Sequence, residues 1–293
     1  MNLMIYIFVA PLLLVISKFP FWLLYQLSNL LYVFVYHITG YRKKAVQKNI
    51  ALCGIANSPA EQKQIERKFY RFLCDLLLEA IKVKGMSKKQ MLKRFTVTNP
   101  ELVENFAKQG KSVFVMTGHY ANFEWLLALG YYVSLKPVAI YAPLQNKYFD
   151  SYFQKVRSKH NAALISRKKF TEEFAASKRK NELNLVGFAA DQSPRNRSKN
   201  YYRTFFGHEV PVFTGAERLG KRFDVPIVMA KVKRVKRGYY ETTFSVLAEN
   251  PNEVADFQIT DAFYKALEEQ IKEDPSLYFW THNRFKLMRQ KKQ

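Results

Sequence analysis

The first forty residues are apolar almost without interruption. Met1 to Ser17 carries no charged side chain, Lys18 follows, and Phe19 to Tyr41 again lacks Asp, Glu, Lys and Arg. At about 1.5 Å per residue, a helix over the first run reaches roughly 25 Å, near the lower limit for crossing a bilayer. The opening MNLMIYIF places no basic residue before the run, and SKFPFW is a poor cleavage site. The run therefore reads as an uncleaved anchor and not as a signal peptide. Basic residues follow it (Lys18, Arg42, Lys43, Lys44 and Lys48), which assigns the bulk of the chain to the cytoplasmic side. The second stretch, Phe21 to Ile38, is interrupted by Gln26, Ser28, Asn29 and His37, and is read as a helix lying at the interface. The expected division is a membrane anchor and interfacial helix over residues 1–40 and a cytoplasmic domain over 41–293.

Beyond the anchor the apolar period changes repeatedly. Ser58-Pro59-Ala60-Glu61 forms a capping box with Pro at the first helical position. It opens a helix whose apolar stripe runs through Ile65, Phe69, Phe72, Leu73, Leu76 and Ala80. Ser112 to Met116 reads as a buried strand ending at Thr117-Gly118. Phe123 to Leu129 reads as a helix with Asn122 as its cap. Pro137 to Tyr141 is a second strand, Tyr148 to Ser158 a helix, and Leu183 to Ala190 a third buried strand ending at Asp191-Gln192. Ala216 to Phe223 is a helix. Pro226 to Lys233 and Tyr239 to Leu247 pair as a hairpin about Arg237-Gly238, and a helix covers Asp261 to Lys272. Such alternation predicts an α/β domain, a mixed central sheet flanked by helices, behind an N-terminal membrane-anchoring helix. In such sheets ligands gather beyond the carboxyl ends of strands, and two of these ends carry polar groups, His119 and Asp191.

Charge changes the picture next. Forty-seven Lys and Arg oppose 24 Asp and Glu, a net +23, so the partners are anionic. Nucleic acid, anionic lipid headgroups and an acidic carrier protein all qualify. No zinc spacing, basic zipper or aromatic RNA-binding motif is present, and an apolar anchor argues against nucleic acid. Two cysteines, Cys53 and Cys74, rule against a disulfide framework and suit a reducing compartment.

The chemistry concentrates in Gly118-His119-Tyr120-Ala121-Asn122-Phe123-Glu124. Five residues apart, His119 and Glu124 fall on different faces of any regular helix. They meet only if His119 sits in the turn and Glu124 reaches back from the first helical turn. A carboxylate accepting from one imidazole nitrogen fixes the tautomer and raises the basicity of the other, which then takes a proton from an attacking hydroxyl. No Ser or Cys adjoins the pair, which favours direct transfer to a bound acceptor over a covalent acyl-enzyme.

With these residues in view, the chain resembles the lipid A biosynthesis lauroyl/myristoyl acyltransferases, within the lysophospholipid acyltransferase superfamily. The matching features run in order: His119 with Glu124; the Tyr141-Ala142-Pro143-Leu144-Gln145-Asn146 segment; Arg157; Asp191-Gln192; Phe205-Phe206-Gly207 and Thr214-Gly215; and the terminal Trp280-Thr281-His282-Asn283-Arg284. The resemblance implies transfer of a fatty acyl chain from an acyl carrier protein thioester to a hydroxyl of a lipid A precursor, at the cytoplasmic face of a bacterial inner membrane. It carries over His119 as general base, Glu124 as its partner, and Arg157 and Asp191 as supporting catalytic or substrate-orienting residues. Arg157 is a candidate for stabilising the oxyanion. Asp191 either acts directly or holds Arg157 or a local turn. Asn122, Gln192, Arg195, Arg197 and Arg203 are expected to contact substrate, the arginines with Lys199 forming a basic loop suited to lipid phosphates or an acidic carrier. Ala142 and Lys147 stand where many members have Arg and Pro, so one headgroup contact is missing. A different membrane-lipid acceptor and an inactive lipid-binding homologue are the alternative readings. With no metal or nucleotide motif, no cofactor beyond the acyl donor is expected.

Overall fold

The computed structural model describes residues 2–143, 146–160, 162–194 and 201–289. Two apolar helices open the chain, α1 (Asn2–Lys18) and α2 (Phe21–Tyr32), the latter running on as a π-helix over Val33–Ile38. Next come α3 (Lys43–Cys53) and the long α4 (Pro59–Lys82). Ser58 caps α4 by accepting from Glu61 N, while the Glu61 carboxylate reaches one residue further back, to Asn57 N. The cap predicted from sequence is thus present with its return bond displaced by one residue.

The alternating part follows: α5 (Lys88–Arg94), β1 (Phe95–Val97), α6 (Glu101–Lys108), β2 (Val113–Thr117), a 3-10 helix over Phe123–Tyr131, β3 (Lys136–Tyr141), α7 (Lys147–Arg157), β4 (Ala163–Ser166), α8 (Phe170–Arg179) and β5 (Asn184–Ala189). A separate hairpin of β6 (Tyr201–Phe205) and β7 (His208–Val212) precedes α9 (Gly215–Phe223), β8 (Ile227–Lys236), β9 (Tyr239–Ala248) and α10 (Gln258–Glu273). The main sheet has the order β1-β9-β8-β2-β5-β3-β4, parallel throughout except for the β8–β9 hairpin. The mixed α/β architecture expected from the sequence is therefore the one observed. All five residues of β2 are buried, as the central strand of a sheet covered on both faces requires.

The short strands β1 and β4 and the β6–β7 hairpin lie outside the elements read from sequence. β1 is a three-residue strand paired only with β9, and β4 shows intermediate burial throughout, so neither carries a clear period of its own.

The apolar helices lie against the domain. On α2, Leu24 is buried and Ser28 Oγ donates to Asp75 Oδ1 of α4 at 2.6 Å. Arg237 grips the same carboxylate through Nε and Nη2, at 2.9 and 2.6 Å. On α1, Tyr6 stacks on Tyr148 of α7 with centroids 5.6 Å apart. Lys82 Nζ donates to Ser17 O at 2.8 Å, placing a cation at the negative end of the α1 dipole. Gly85 makes this approach possible, since a Cβ there would lie 1.9 Å from Ser17 O. The outer faces stay apolar and exposed, with Ile7, Phe8 and Leu12 on α1, and Trp22, Leu30 and Phe34 beyond. By length and composition Phe21–Ile38 suffices to cross a membrane, whereas the sequence reading assigned the span to the first run and an interfacial position to the second.

Candidate active site

β2 and β5 are adjacent and parallel, with Thr117 in register with Ala189. Two residues past each of these positions stand His119 and Asp191, brought side by side at the carboxyl end of the sheet. Asp191 Oδ1 lies 2.6 Å from His119 Nδ1. The Asp191 side chain is 3% exposed and that of His119 is 16%, so the imidazole keeps one open edge. Gly118 is where the chain turns out of β2 beneath α10, and a Cβ there would lie 2.6 Å from Leu267 Cδ1.

The carboxylate that orients His119 is thus Asp191, not Glu124, which corrects the pairing expected from the His–x4–Glu spacing. Glu124 does sit in the first turn of its helix, as expected. It instead accepts a two-point bond from Arg157, Nη2 to Oε1 at 3.0 Å and Nε to Oε2 at 3.3 Å. Nor does Asp191 hold Arg157.

Burial pulls the imidazole pKa down, but the charge and hydrogen bond of Asp191, with a further contribution from the Glu124 charge, outweigh it, and His119 ends above its ordinary 6.5. Burial raises the Asp191 carboxyl, yet His119 and the nearby Arg284 charge more than reverse this, and it ends below its ordinary 3.8. Both shifts favour the charged pair. With Nδ1–H donated to Asp191, Nε2 carries the lone pair. Gln192 Nε2 stands 3.3 Å from it, where the amide N–H can donate to that lone pair when the ring is neutral.

The loop holding His119 is fixed from two sides. Phe279 N donates to His119 O at 3.0 Å and Ala121 N to Leu277 O at 2.9 Å, a short antiparallel bridge to the C-terminal segment. Ala121 adopts a left-handed φ of 48°, a conformation costing roughly 1 kcal/mol for a residue with a Cβ, so the surroundings dictate it. Phe123 and Phe279 pack on the imidazole, with centroids at 4.8 and 6.1 Å.

The remaining expected contacts divide. Asn122 is fully buried. Its Oδ1 caps Trp125 N at 3.2 Å and its Nδ2 donates to Glu79 Oε2 at 2.7 Å, so its amide is committed to the fold. Arg203 is likewise engaged, donating to the Asp261 and Thr204 carbonyls and lying over the Tyr264 ring, and its place in a free basic loop is corrected. Arg195, Arg197 and Lys199 lie outside the described residues.

Sequence reasoning assigned no role to Arg284 and passed over Glu79. Arg284 is 1% exposed and donates from Nη1 to Ser193 Oγ at 2.9 Å and to Pro211 O at 3.1 Å. His282 Nε2 accepts from Ser193 N at 3.1 Å. The terminal Trp-x-His-x-Arg element thus clamps the segment directly after Asp191-Gln192. The signal in the sequence was an Arg set in an aromatic-rich segment, Tyr278 to Phe285.

An imidazole bonded to a buried carboxylate, with the charge of an Arg–Glu pair nearby, suits acyl transfer to a hydroxyl. Residues 2–287 match the family model for bacterial lipid A biosynthesis acyltransferases. The chain belongs to that family. Among relatives, it is 24% identical over 249 residues to the lipid A biosynthesis palmitoleoyltransferase of Escherichia coli (strain K12), covering 84% of this chain and 79% of that protein. It is 19% identical over 272 residues to a lipid A biosynthesis acyltransferase of Haemophilus influenzae, covering 92% and 83%. Membership supports an enzyme of acyl transfer with a lipid A-related acceptor. It also accounts for the order of motifs along this acyltransferase, which carries the His–x4–acid pattern and the terminal Trp-x-His-x-Arg element together.

Proposed function

We propose that this protein transfers a fatty acyl chain from an acyl carrier protein thioester to a hydroxyl of a lipid A precursor, with His119 as general base. The observation that carries the reading is the 2.6 Å contact between His119 Nδ1 and Asp191 Oδ1. In the neutral imidazole, a proton on Nδ1 shared with Asp191 leaves the lone pair on Nε2, at the open edge of the ring.

The acceptor hydroxyl displaces the Gln192 amide from Nε2 and gives its proton to that nitrogen as its oxygen attacks the thioester carbonyl. The imidazolium so formed is stabilised by Asp191, which stays ionised. The carbonyl oxygen of the tetrahedral intermediate becomes an oxyanion, and the Arg157 guanidinium, held in orientation by Glu124, supplies positive charge for it. Collapse expels the carrier thiolate, which takes the proton back from Nε2. An ester has formed, a thioester has broken, and the base is regenerated without a covalent enzyme intermediate.

The exposed apolar faces of α1 and α2 support placement on a membrane, where both the lipid acceptor and the acyl product reside. The basic residues following them support the cytoplasmic face of the inner membrane, where a soluble acidic carrier has access.

The test is an assay in mixed micelles with acyl carrier protein thioesters of several chain lengths and a lipid A precursor. The expected result is release of one carrier thiol for each ester formed, with the acylated product identified by mass spectrometry. Thiol release without an acylated lipid A precursor, or acylation of a glycerophospholipid in its place, would overturn the acceptor. No release from any carrier thioester would overturn the donor.

A further inference from the structure

Glu79 lies in the last turn of α4, three residues before its end, and is completely buried. Its two carboxylate oxygens accept from three elements remote in sequence. Tyr25 of α2 donates to Oε1 at 2.8 Å, while Tyr240 of β9 and Asn122 of the catalytic loop donate to Oε2 at 2.8 and 2.7 Å. The Glu79 carbonyl also faces Trp125 Nε1 at 3.4 Å. Burial pushes this carboxyl up to about 7, with the hydrogen bond from Tyr240 opposing the shift. An ionisable group is an expensive way to fill such a site, and an apolar side chain of similar volume is often as stable or more so. What a carboxylate supplies there is direction, because it fixes three donors in one geometry.

One of those donors matters for the chemistry. Asn122 follows His119 by three residues and caps the helix that carries Glu124. The loop between contains Ala121 in its left-handed conformation, which persists only if both flanks are held. The bridge to Leu277 and Phe279 holds one flank. The bond from Asn122 to Glu79 holds the other.

We propose that Glu79 is a positioning residue for the acyl transfer, fixing the His119 loop through Asn122 and tying it to the seat of α2 through Tyr25. This rests on the reading of His119 as base. The Glu79 carboxylate touches no reacting atom. It sets where the His119 ring stands relative to Asp191 and where Glu124 stands relative to Arg157. An error of about 1 Å in such placements costs on the order of a hundredfold in turnover.

The test uses the full chain in mixed micelles, with Glu79→Gln, Asn122→Ala and the swapped pair Glu79→Gln/Asn122→Asp. The swap keeps one carboxylate in the site and reverses the polarity of the bond, since a Gln at 79 donates to an Asp at 122 whose other oxygen still caps Trp125. Turnover is expressed per folded molecule, and the His119 ring is followed separately by NMR on histidine-labelled protein. Glu79→Gln and Asn122→Ala are each expected to lower kcat at least about tenfold with KM little changed, and to shift the His119 resonance. The swapped pair is expected to recover most of the loss. Wild-type kcat and an unmoved His119 resonance in Glu79→Gln, or a swapped pair no better than the single variant, would overturn the proposal. A moved resonance together with an active His119→Ala enzyme would leave the Glu79–loop linkage standing while removing the role of His119 as base.

Discussion

His119 and Asp191 are 72 residues apart in sequence and 2.6 Å apart in space, because β2 and β5 run parallel in a register that pairs Thr117 with Ala189. The sheet thus brings the two side chains together, and the loops extend it by two residues on each side. Asp191→Asn keeps the shape but removes the charge that fixes the tautomer. Turnover is expected to fall about a hundredfold or more, with the affinity for the lipid A precursor little changed, as read by kcat against KM.

With His119 as the proposed base, the rate should climb as pH rises through its pKa, because a general base acts as the neutral imidazole. Since that pKa lies above 6.5 in the fold, the acid limb of kcat/KM is expected above pH 6.5. In Asp191→Asn the limb should move to lower pH, since burial then acts with less opposition. Stability follows the opposite sign. A raised His119 pKa contributes stability that is complete below 6.5 and lost as pH rises through the folded value. A depressed Asp191 pKa contributes stability present above 3.8 and lost as pH falls through its folded value. Denaturant titrations should show the pair's contribution fullest between these two limits, and Asp191→Asn should flatten it.

Arg157 and Glu124 face one another through two bonds while remaining 33% and 23% exposed at their side chains. Such a pair adds less than about 1 kcal/mol to stability, and its two-point bond holds the guanidinium in one plane. Arg157→Lys keeps the charge but loses the fork. It is expected to leave the melting temperature within about 2 °C and to lower kcat by roughly tenfold to a hundredfold. A fall in melting temperature without a fall in kcat would assign the pair to the fold alone.

Phe8 and Trp22 are 76% and 67% exposed on the first two helices. Inserting a large apolar side chain is worth about 1.5–3 kcal/mol, or roughly tenfold or more in partitioning. Phe8→Glu with Trp22→Glu should therefore abolish cosedimentation with phospholipid vesicles while turnover on micellar substrate survives. Undiminished vesicle binding would place the membrane contact elsewhere.

Much of the frame was legible in the residues. Buried runs such as Ser112 to Met116 and Leu183 to Ala190 mark central strands, because a sheet covered on both faces permits no polar alternation. The hairpin about Arg237-Gly238 and the helix ending near Lys272 also follow from local pattern. The site was legible only in part. His119 and Asp191 both stood out as polar groups at strand ends, yet their contact depends on which strands are neighbours and in what register, which local periodicity does not encode. Glu124 offered the nearer carboxylate in sequence, but it faces Arg157 across the space between two helices. Asn122 showed its cap signal, while its second bond depends on Glu79, a buried acid within an apolar helix face. Arg203 looked like one of a basic run and is in fact drawn to α10 by Asp261 and the Tyr264 ring.

The most direct test is single-turnover acyl transfer by His119→Ala, paired with a binding measurement for the lipid A precursor. Loss of general base catalysis predicts a fall of about a hundredfold to ten-thousandfold in the rate, with binding within roughly threefold of wild type. A variant that transfers acyl groups at a rate near that of wild type would contradict the account.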